Sequence, residues 1–414
     1  MRIAQTIRDV PMYRASFGPL IDALTDPVDL TNLPLLDRRS LVESFPRLWM
    51  TDSLQSAIHN DAVEYTTTSG TSGTRMPIVR KRDWWHEEYV RTYRYNSRLR
   101  HYEVGRQPKV ILTTAVCSAN VCHASSPSYE QRLRGTTLYL NQSDAPSKWT
   151  DADIERMAAE LAQHQPVYLD ADAFYLATFL QRAERLGLVR DLFRPEVVTL
   201  SYELTPLCTR TYIAGVLQVP VFELFGSTEA GYTFVESDGR IVRCPELSFV
   251  EALPYRPEAR IYRLVTTSLK NEYMPLVRFF SGDLIRLPEG ARLEGTRIPD
   301  EGWVERFMGR EQDCVRASDG SAVTPGELDD AVGATEGSIL YYQVAERAPG
   351  EVVLSYVAAT SAGVAPAVLD GVVERLTRLM GPAGRVVVEA VDALSPMASG
   401  KFGTTRRRAT ASDA

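Results

Sequence analysis

The chain has 414 residues, 44% of them hydrophobic and 24% charged, with a formal net charge of −7. This is globular usage, too long for one ordinary core and suited to a large domain with a smaller one. The acidic balance argues against a general nucleic-acid binder, no run approaches the roughly 18 apolar residues of a membrane span, and five scattered cysteines make no disulfide framework.

In chain order, the first sixty residues read as a helical preamble, with amphipathic pieces at Leu41–Phe45 and Leu54–Ile58 punctuated by Pro46. The start, Met1 to Asp9, carries charges where a signal peptide needs an apolar core, so the expected location is the cytoplasm. Trp84–Arg100 has helical periodicity and Val110–Val116 is a run of strand formers. Asp151–Gln163 is expected to be helical, capped by Thr150, with Asp151 and Asp153 placed for its N-terminal dipole. A further helix is expected over Ala171–Leu186, closed by Gly187. Val197–Leu200 and Val219–Leu224 are strands flanking a third helix. This alternation predicts an α/β domain with much parallel pairing.

From Arg240 to Arg286 strand patterns dominate, which predicts a β-rich subdomain completing the large domain. Beyond Gly309-Arg310 come a turn at Asp319-Gly320-Ser321, a helix over Pro325–Val332, a strand at Val352–Ala358, a helix at Ala367–Leu379 and a strand at Arg385–Val391. The expected organisation is a large domain over residues 1–309 and a small α+β domain over 310–414. Arg406-Arg407-Arg408 reads as a solvated basic tail.

Chemistry concentrates in a few segments. In Thr66 to Pro77, nine of twelve residues are Thr, Ser or Gly. Glycines let the backbone approach a ligand, and the hydroxyls with bared N–H groups make an anion cradle, most naturally for phosphates. No Gly-Lys-Ser/Thr ends the run, so it is not a Walker A loop, and alone it also reads as a flexible surface loop. Three later segments decide between these. Phe222 to Gly231 is an apolar strand running into Gly226-Ser227-Thr228-Glu229. Met274 to Leu284 is a strand ending in Gly282-Asp283. Gly309-Arg310 with Asp313 is followed by Ser399-Gly400-Lys401 near the C-terminus.

In this order and at these separations, the segments resemble the adenylate-forming superfamily of acyl-CoA ligases, peptide-synthetase adenylation domains and luciferases. Leu264 to Glu272 and Leu33-Pro34-Leu35-Leu36-Asp37-Arg38 make the phenylacetate–CoA ligase branch the most similar. The resemblance covers nearly the whole chain and implies a large ATP- and substrate-binding domain with a mobile C-terminal lid. It implies that Thr68, Ser69, Gly70, Thr71, Ser72, Gly73 and Thr74 cradle the β- and γ-phosphates, with Arg75-Met76 standing where relatives often carry Lys. Glu229 would ligate Mg²⁺, Thr228 would contact the α-phosphate, Phe225 would pack beside adenine, and Gly226 and Ser227 would belong to the cofactor-binding set. Asp283 would accept the ribose hydroxyls, Arg310 would contact ribose or phosphate, and Tyr202-Glu203 would complete the cofactor-binding set. Gln312 occupies the position usually taken as the domain pivot. Lys401 would bridge the incoming carboxylate and the α-phosphate in the transition state.

The implied substrate pocket offers Cys117, Asn120, His123, Tyr202 and Tyr232, a polar and aromatic lining suited to a small substituted aromatic acid. Cys117, Cys122, His123 and Cys244 could form a Cys₃His zinc site. Their spacing departs from structural zinc pairs, so core or pocket-lining thiols are the preferred reading. The expected reaction is ATP-dependent adenylation of an aromatic carboxylic acid, followed by thioester formation with coenzyme A. The resemblance leaves two alternatives on the same fold. One is activation of nitrite to convert an aromatic amine into a diazo compound, as in secondary metabolism. The other is acyl transfer to a thiol on a carrier protein or on Cys314.

Overall fold

The structure, a computed structural model, describes residues 3–22, 24–25, 29–68, 76–114, 127–143, 145–397 and 400–406. Two units emerge, one joining Met1–Val104 to Leu224–Arg306 and the other joining Gly105–Glu223 to Phe307–Ala414. The expected boundary at residue 310 falls just inside the return segment of the second unit.

The first unit is organised by an antiparallel meander of Ser248–Arg256, Ile261–Ser268 and Phe279–Arg286. The helices Ile3–Asp9 and Pro11–Phe17 close a core in which Ile7, Tyr13, Phe17 and Trp49 meet Met274, Leu276 and Phe279. Tyr13 locks this contact through its hydroxyl, which donates to the Pro275 carbonyl and accepts the Val277 N–H at 2.8 Å. Arg278, buried with Glu251 at 2.9 Å, ties the meander to the Thr31 and Leu33 carbonyls.

Two further strands, Val63–Thr67 and Pro77–Lys81, pair antiparallel with Thr67 opposite Pro77. They hold the two ends of the Thr/Ser/Gly run side by side. Ser69 to Arg75 lie outside the described residues. The helix that follows, Trp84–Tyr93, stops well before the expected Arg100. A short 3-10 turn at Leu99–His101 replaces its C-terminal half, with Asn96 accepting the Arg98 and Leu99 N–H groups.

The second unit carries the parallel sheet foreseen from the strand–helix alternation. Lys109–Leu112 pairs in parallel with Thr137–Tyr139 and Tyr168–Asp172, which pairs with Val197–Ser201, which pairs with residues 221–223. The helices Asp151–His164, Ala173–Arg185 and Leu207–Leu217 are its crossovers. Thr150 and Asp153 form a capping box, as the sequence suggests. Ala171 and Asp172, expected in a helix, instead end a buried strand, and the Asp172 side chain caps the helix that begins at Ala173. Side-chain capping by Asp favours the extended residue before a helix over its first turn.

In the same unit, Ile339–Ala348 and Glu351–Ala358 form an antiparallel pair flanked in parallel by Thr405–Arg406 and Arg385–Ala390. Pro325–Val332 and Pro366–Met380 cover that sheet, packing Leu328, Val332, Val372 and Leu376 against Val344 and Leu354. The architecture is thus mixed α/β with a smaller α+β C-terminal region, as expected. No described helix is long and apolar enough to cross a membrane.

Candidate active site

In the first unit, residues 224–227, the C-terminal part of the strand Val221–Ser227, turn through Thr228-Glu229-Ala230 into a return strand, Gly231–Ser237. The motif is therefore a hairpin with a bulge between Phe225 and Gly226, and Ser227 Oγ closes the turn by accepting the Ala230 N–H at 3.1 Å. Gly231 is required twice over. Its φ is +78°, and a Cβ there would lie against Glu88 Oε2 and 2.6 Å from Trp84 Cη2.

Phe279–Arg286 contributes the facing wall. Its register slips between Arg263 and Val265, and Gly282 adopts φ +95° in the resulting bulge. Such a bulge re-aims side chains. Here it brings Ser281 and Asp283 into a cleft also lined by Phe225, Ser227, Thr233 and Thr266. The Ser281 hydroxyl donates to Asp283 Oδ2. The enclosed volume is about 10 Å³, so the walls are in near contact. Three residues assigned to the nucleoside by resemblance thus converge from segments more than fifty positions apart.

Glu229 is 7% exposed and makes no hydrogen bond or ion pair with any described residue. With no partner among the described residues, its carboxyl is available as an oxygen ligand for a cation. No group of three or more metal-ligating side chains surrounds it among the described residues. A single carboxylate is compatible with Mg²⁺, which takes one or two carboxylates with phosphate oxygens and water.

Beneath the hairpin lies Glu88, 1% exposed on the helix Trp84–Tyr93. Its Oε2 accepts the Tyr232 N–H at 3.3 Å, and its Oε1 is buried with no hydrogen-bond partner. Burial pushes its carboxyl up to about 8, against a partial offset from the Tyr232 N–H, Arg91, Lys270 and Arg80. Tyr232 does not line the cleft. It packs against Trp85 and Tyr89, with ring centroids 5.4 and 5.5 Å away, and Arg80 lies over Trp84 and Trp85 at 5.1 and 5.0 Å.

Thr68 closes the base of the Thr/Ser/Gly run. Its hydroxyl accepts the Met76 N–H at 3.2 Å and a donor from Arg38. That leaves its own proton to donate. Arg38 lies in the segment Leu33–Arg38, thirty positions from Thr68, and nothing local in the sequence brings the two together. Ser69, Gly70, Thr71, Ser72, Gly73 and Thr74 lie outside the described residues, as do Cys117, Asn120, Cys122 and His123. Cys244 is fully buried and its thiol is pushed up by that burial.

In the second unit, Lys401 Nζ donates to the Tyr202 carbonyl. Glu203 accepts the Phe402 N–H at 3.0 Å and the Gly403 N–H at 3.0 Å. Asp172 lies next to Glu203. Burial first, and then that neighbour, hold the Asp172 carboxyl well above the usual carboxylate range. Tyr202 sits at φ +80°, and its hydroxyl donates to Asp170 Oδ2 at 3.2 Å. Asp170 is fully buried, accepts Thr199 and Ser201 hydroxyls at 3.1 and 2.9 Å, and pairs with Lys109 at 3.3 Å. Arg310 ends the strand Arg306–Arg310, and its carbonyl faces the buried Cys314 thiol at 3.7 Å.

No protein-family model and no curated protein matches the chain. Solved structures do. A 2-hydroxyisobutyryl-CoA ligase in the postadenylation state, in complex with R3-HIB-AMP, is 16% identical with a TM-score of 0.69, covering 98% of this chain and 87% of that one. The same ligase with 2-HIB-AMP and CoA, in the thioesterification state, is 16% identical with a TM-score of 0.55 over 98% and 87% of the two chains. An anthranilate CoA ligase in complex with anthranoyl-AMP is 13% identical with a TM-score of 0.55, over 82% of this chain and 65% of that one. At these identities the likeness is one of architecture. The chain has the fold of these acyl-CoA ligases.

Proposed function

We propose that the protein is an AMP-producing ligase that adenylates a small aromatic carboxylic acid and passes the acyl group to coenzyme A. The observation that carries this is the cleft of the first unit, where Phe225, Ser227 and Asp283 meet although nothing local in the sequence joins them. In the first half-reaction a carboxylate oxygen bonds to the α-phosphorus of ATP and pyrophosphate leaves. In the second a thiol attacks the acyl carbon and AMP leaves. Both steps need charge neutralisation and alignment more than a proton donor.

Asp283 accepts the ribose hydroxyls, Phe225 covers the base, and Thr68 with Ser69 to Thr74 holds the terminal phosphates. Glu229 is the residue to hold Mg²⁺, which when bound supplies neutralisation of phosphate charge. Thr228 lies beside it for the α-phosphate, and Lys401 supplies a cation for the developing negative charge. Residues 310–414 form a lid that adopts one orientation for each half-reaction, with Arg310 at its start. The aromatic preference rests on the implied pocket and on the likeness to a ligase solved with anthranoyl-AMP.

The test is pyrophosphate release with ATP and Mg²⁺ across benzoates, phenylacetate, cinnamates and aminohydroxybenzoates, each with and without nitrite and coenzyme A. Release driven by an aromatic acid alone is expected. Release that requires nitrite would replace the reading with diazo formation. Lys401→Ala is expected to lower release about 10²-fold or more while ATP binding persists.

A further inference from the structure

Lys401 sits on a loop whose backbone is accounted for almost atom by atom. Gln343 Nε2 donates to the Phe402 and Gly403 carbonyls, both at 3.1 Å, and Tyr175 donates to the Gly400 carbonyl at 3.3 Å. The Phe402 ring is 2% exposed and stacks on Phe174, with centroids 4.9 Å apart and planes 7° from parallel. The two N–H groups after the lysine both go to one carboxyl, that of Glu203.

The turn that offers this carboxyl is itself held under strain. Tyr202 has a left-handed backbone, a conformation that a non-glycine residue keeps only when its surroundings over-determine it. The Asp170 hydrogen bond to its hydroxyl, anchored in turn by the buried Lys109, supplies that constraint. The strained peptide aims the Tyr202 carbonyl at the Lys401 ammonium, and the next residue grips the lysine's own loop.

We infer that Glu203 is a positioning residue, a latch that fastens the Lys401 loop to the Tyr202–Glu203 turn and fixes the ammonium for adenylation. The resemblance assigns Glu203 to the nucleotide, yet its hydrogen bonds go to Phe402 and Gly403. Asp172, which caps the helix Ala173–Arg185, is buried beside it with Oδ2 lacking a hydrogen-bond partner. The catalytic consequence rests on the ligase reading, while the latch itself rests on geometry alone. A lid that reorients between half-reactions must release this grip, so the latch acts in one of the two.

Amide hydrogen exchange on the full-length protein separates these claims. In Glu203→Ala, and more weakly in the near-isosteric Glu203→Gln, peptides spanning 400–406 should exchange at least tenfold faster. Peptides over 173–185 should be unchanged. Unchanged exchange at 400–406, or equal acceleration in both regions, overturns the latch.

The kinetic arm uses anthranilate as the acid. Glu203→Ala should lower kcat for ATP–pyrophosphate exchange at least tenfold with ATP KM within twofold, leaving thioester formation from supplied anthranoyl-AMP and CoA unaltered. A raised ATP KM with unchanged kcat would return Glu203 to the nucleotide site. Faster loop exchange in a protein whose wild type releases no pyrophosphate with any acid would refute the ligase reading and leave the latch standing.

Discussion

Glu88→Gln isolates the buried carboxyl under the hairpin. In the folded protein the group titrates near 8 rather than near its ordinary 4.5, chiefly because burial removes its hydration. The native state therefore holds the proton more tightly than the unfolded chain. The stabilisation is complete below about pH 4.5 and is lost as pH rises through about 8. A shift of this size is worth about 5 kcal/mol in total, at roughly 1.4 kcal/mol per unit. Integrated between pH 5 and pH 9 it amounts to about 4 kcal/mol, of which about 2.5 falls before pH 7.

Glutamine keeps an acceptor for the Tyr232 N–H and never ionises. Urea unfolding followed by tryptophan fluorescence at pH 5, 7 and 9, at fixed ionic strength, reads the difference, because other titrating groups cancel between the two proteins. Wild type should lose about 4 kcal/mol relative to the variant across that range. The variant should be the more stable of the two at pH 9. Parallel stability profiles, within about 0.5 kcal/mol, would refute a neutral buried Glu88.

Two comparisons test other parts of the scaffold. Gly231 and Gly282 both have positive φ, but only Gly231 is crowded, so alanine should lower the melting temperature more at 231 than at 282, where nothing lies within 4 Å of a Cβ. Equal losses would mean that backbone conformation alone decides both sites. Lys109→Met strands the Asp170 carboxylate in the core and should cost about 3–5 kcal/mol in urea unfolding. Adding Asp170→Asn should recover part of that loss, and strict additivity would show that the pair does not interact.

Much of the scaffold is legible in residue order, because it rests on local periodicity. The capping box at Thr150 and the helices at Pro325–Val332 and Pro366–Met380 follow from caps and spacing within one turn. Asp283, Phe225 and Lys401 stand out in the sequence because each sits in a short recognisable motif. The strand Ile339–Ala348 gives no clear signal in residue order, since its burial comes from pairing with Glu351–Ala358 and from two helices that sequence spacing does not bring near it. Ala171-Asp172 reads as helix from propensity, which does not reveal where a buried strand hands over to its cap.

Charge state, strain and pairing are the properties that only the folded chain decides. Glu88 reads in the sequence as one more acidic residue on a charged helix, and burial against the Gly231-Tyr232 segment, far away in the chain, pushes its carboxyl up. Tyr202 is an unremarkable tyrosine until Asp170 holds it at φ +80°. Glu203 gains its partners only when Phe402 is stacked on Phe174, two hundred residues away. Residue order sets which groups are present and which turns and helices they favour. Desolvation and long-range hydrogen bonding arise only once distant segments share a core, and they decide what those groups do.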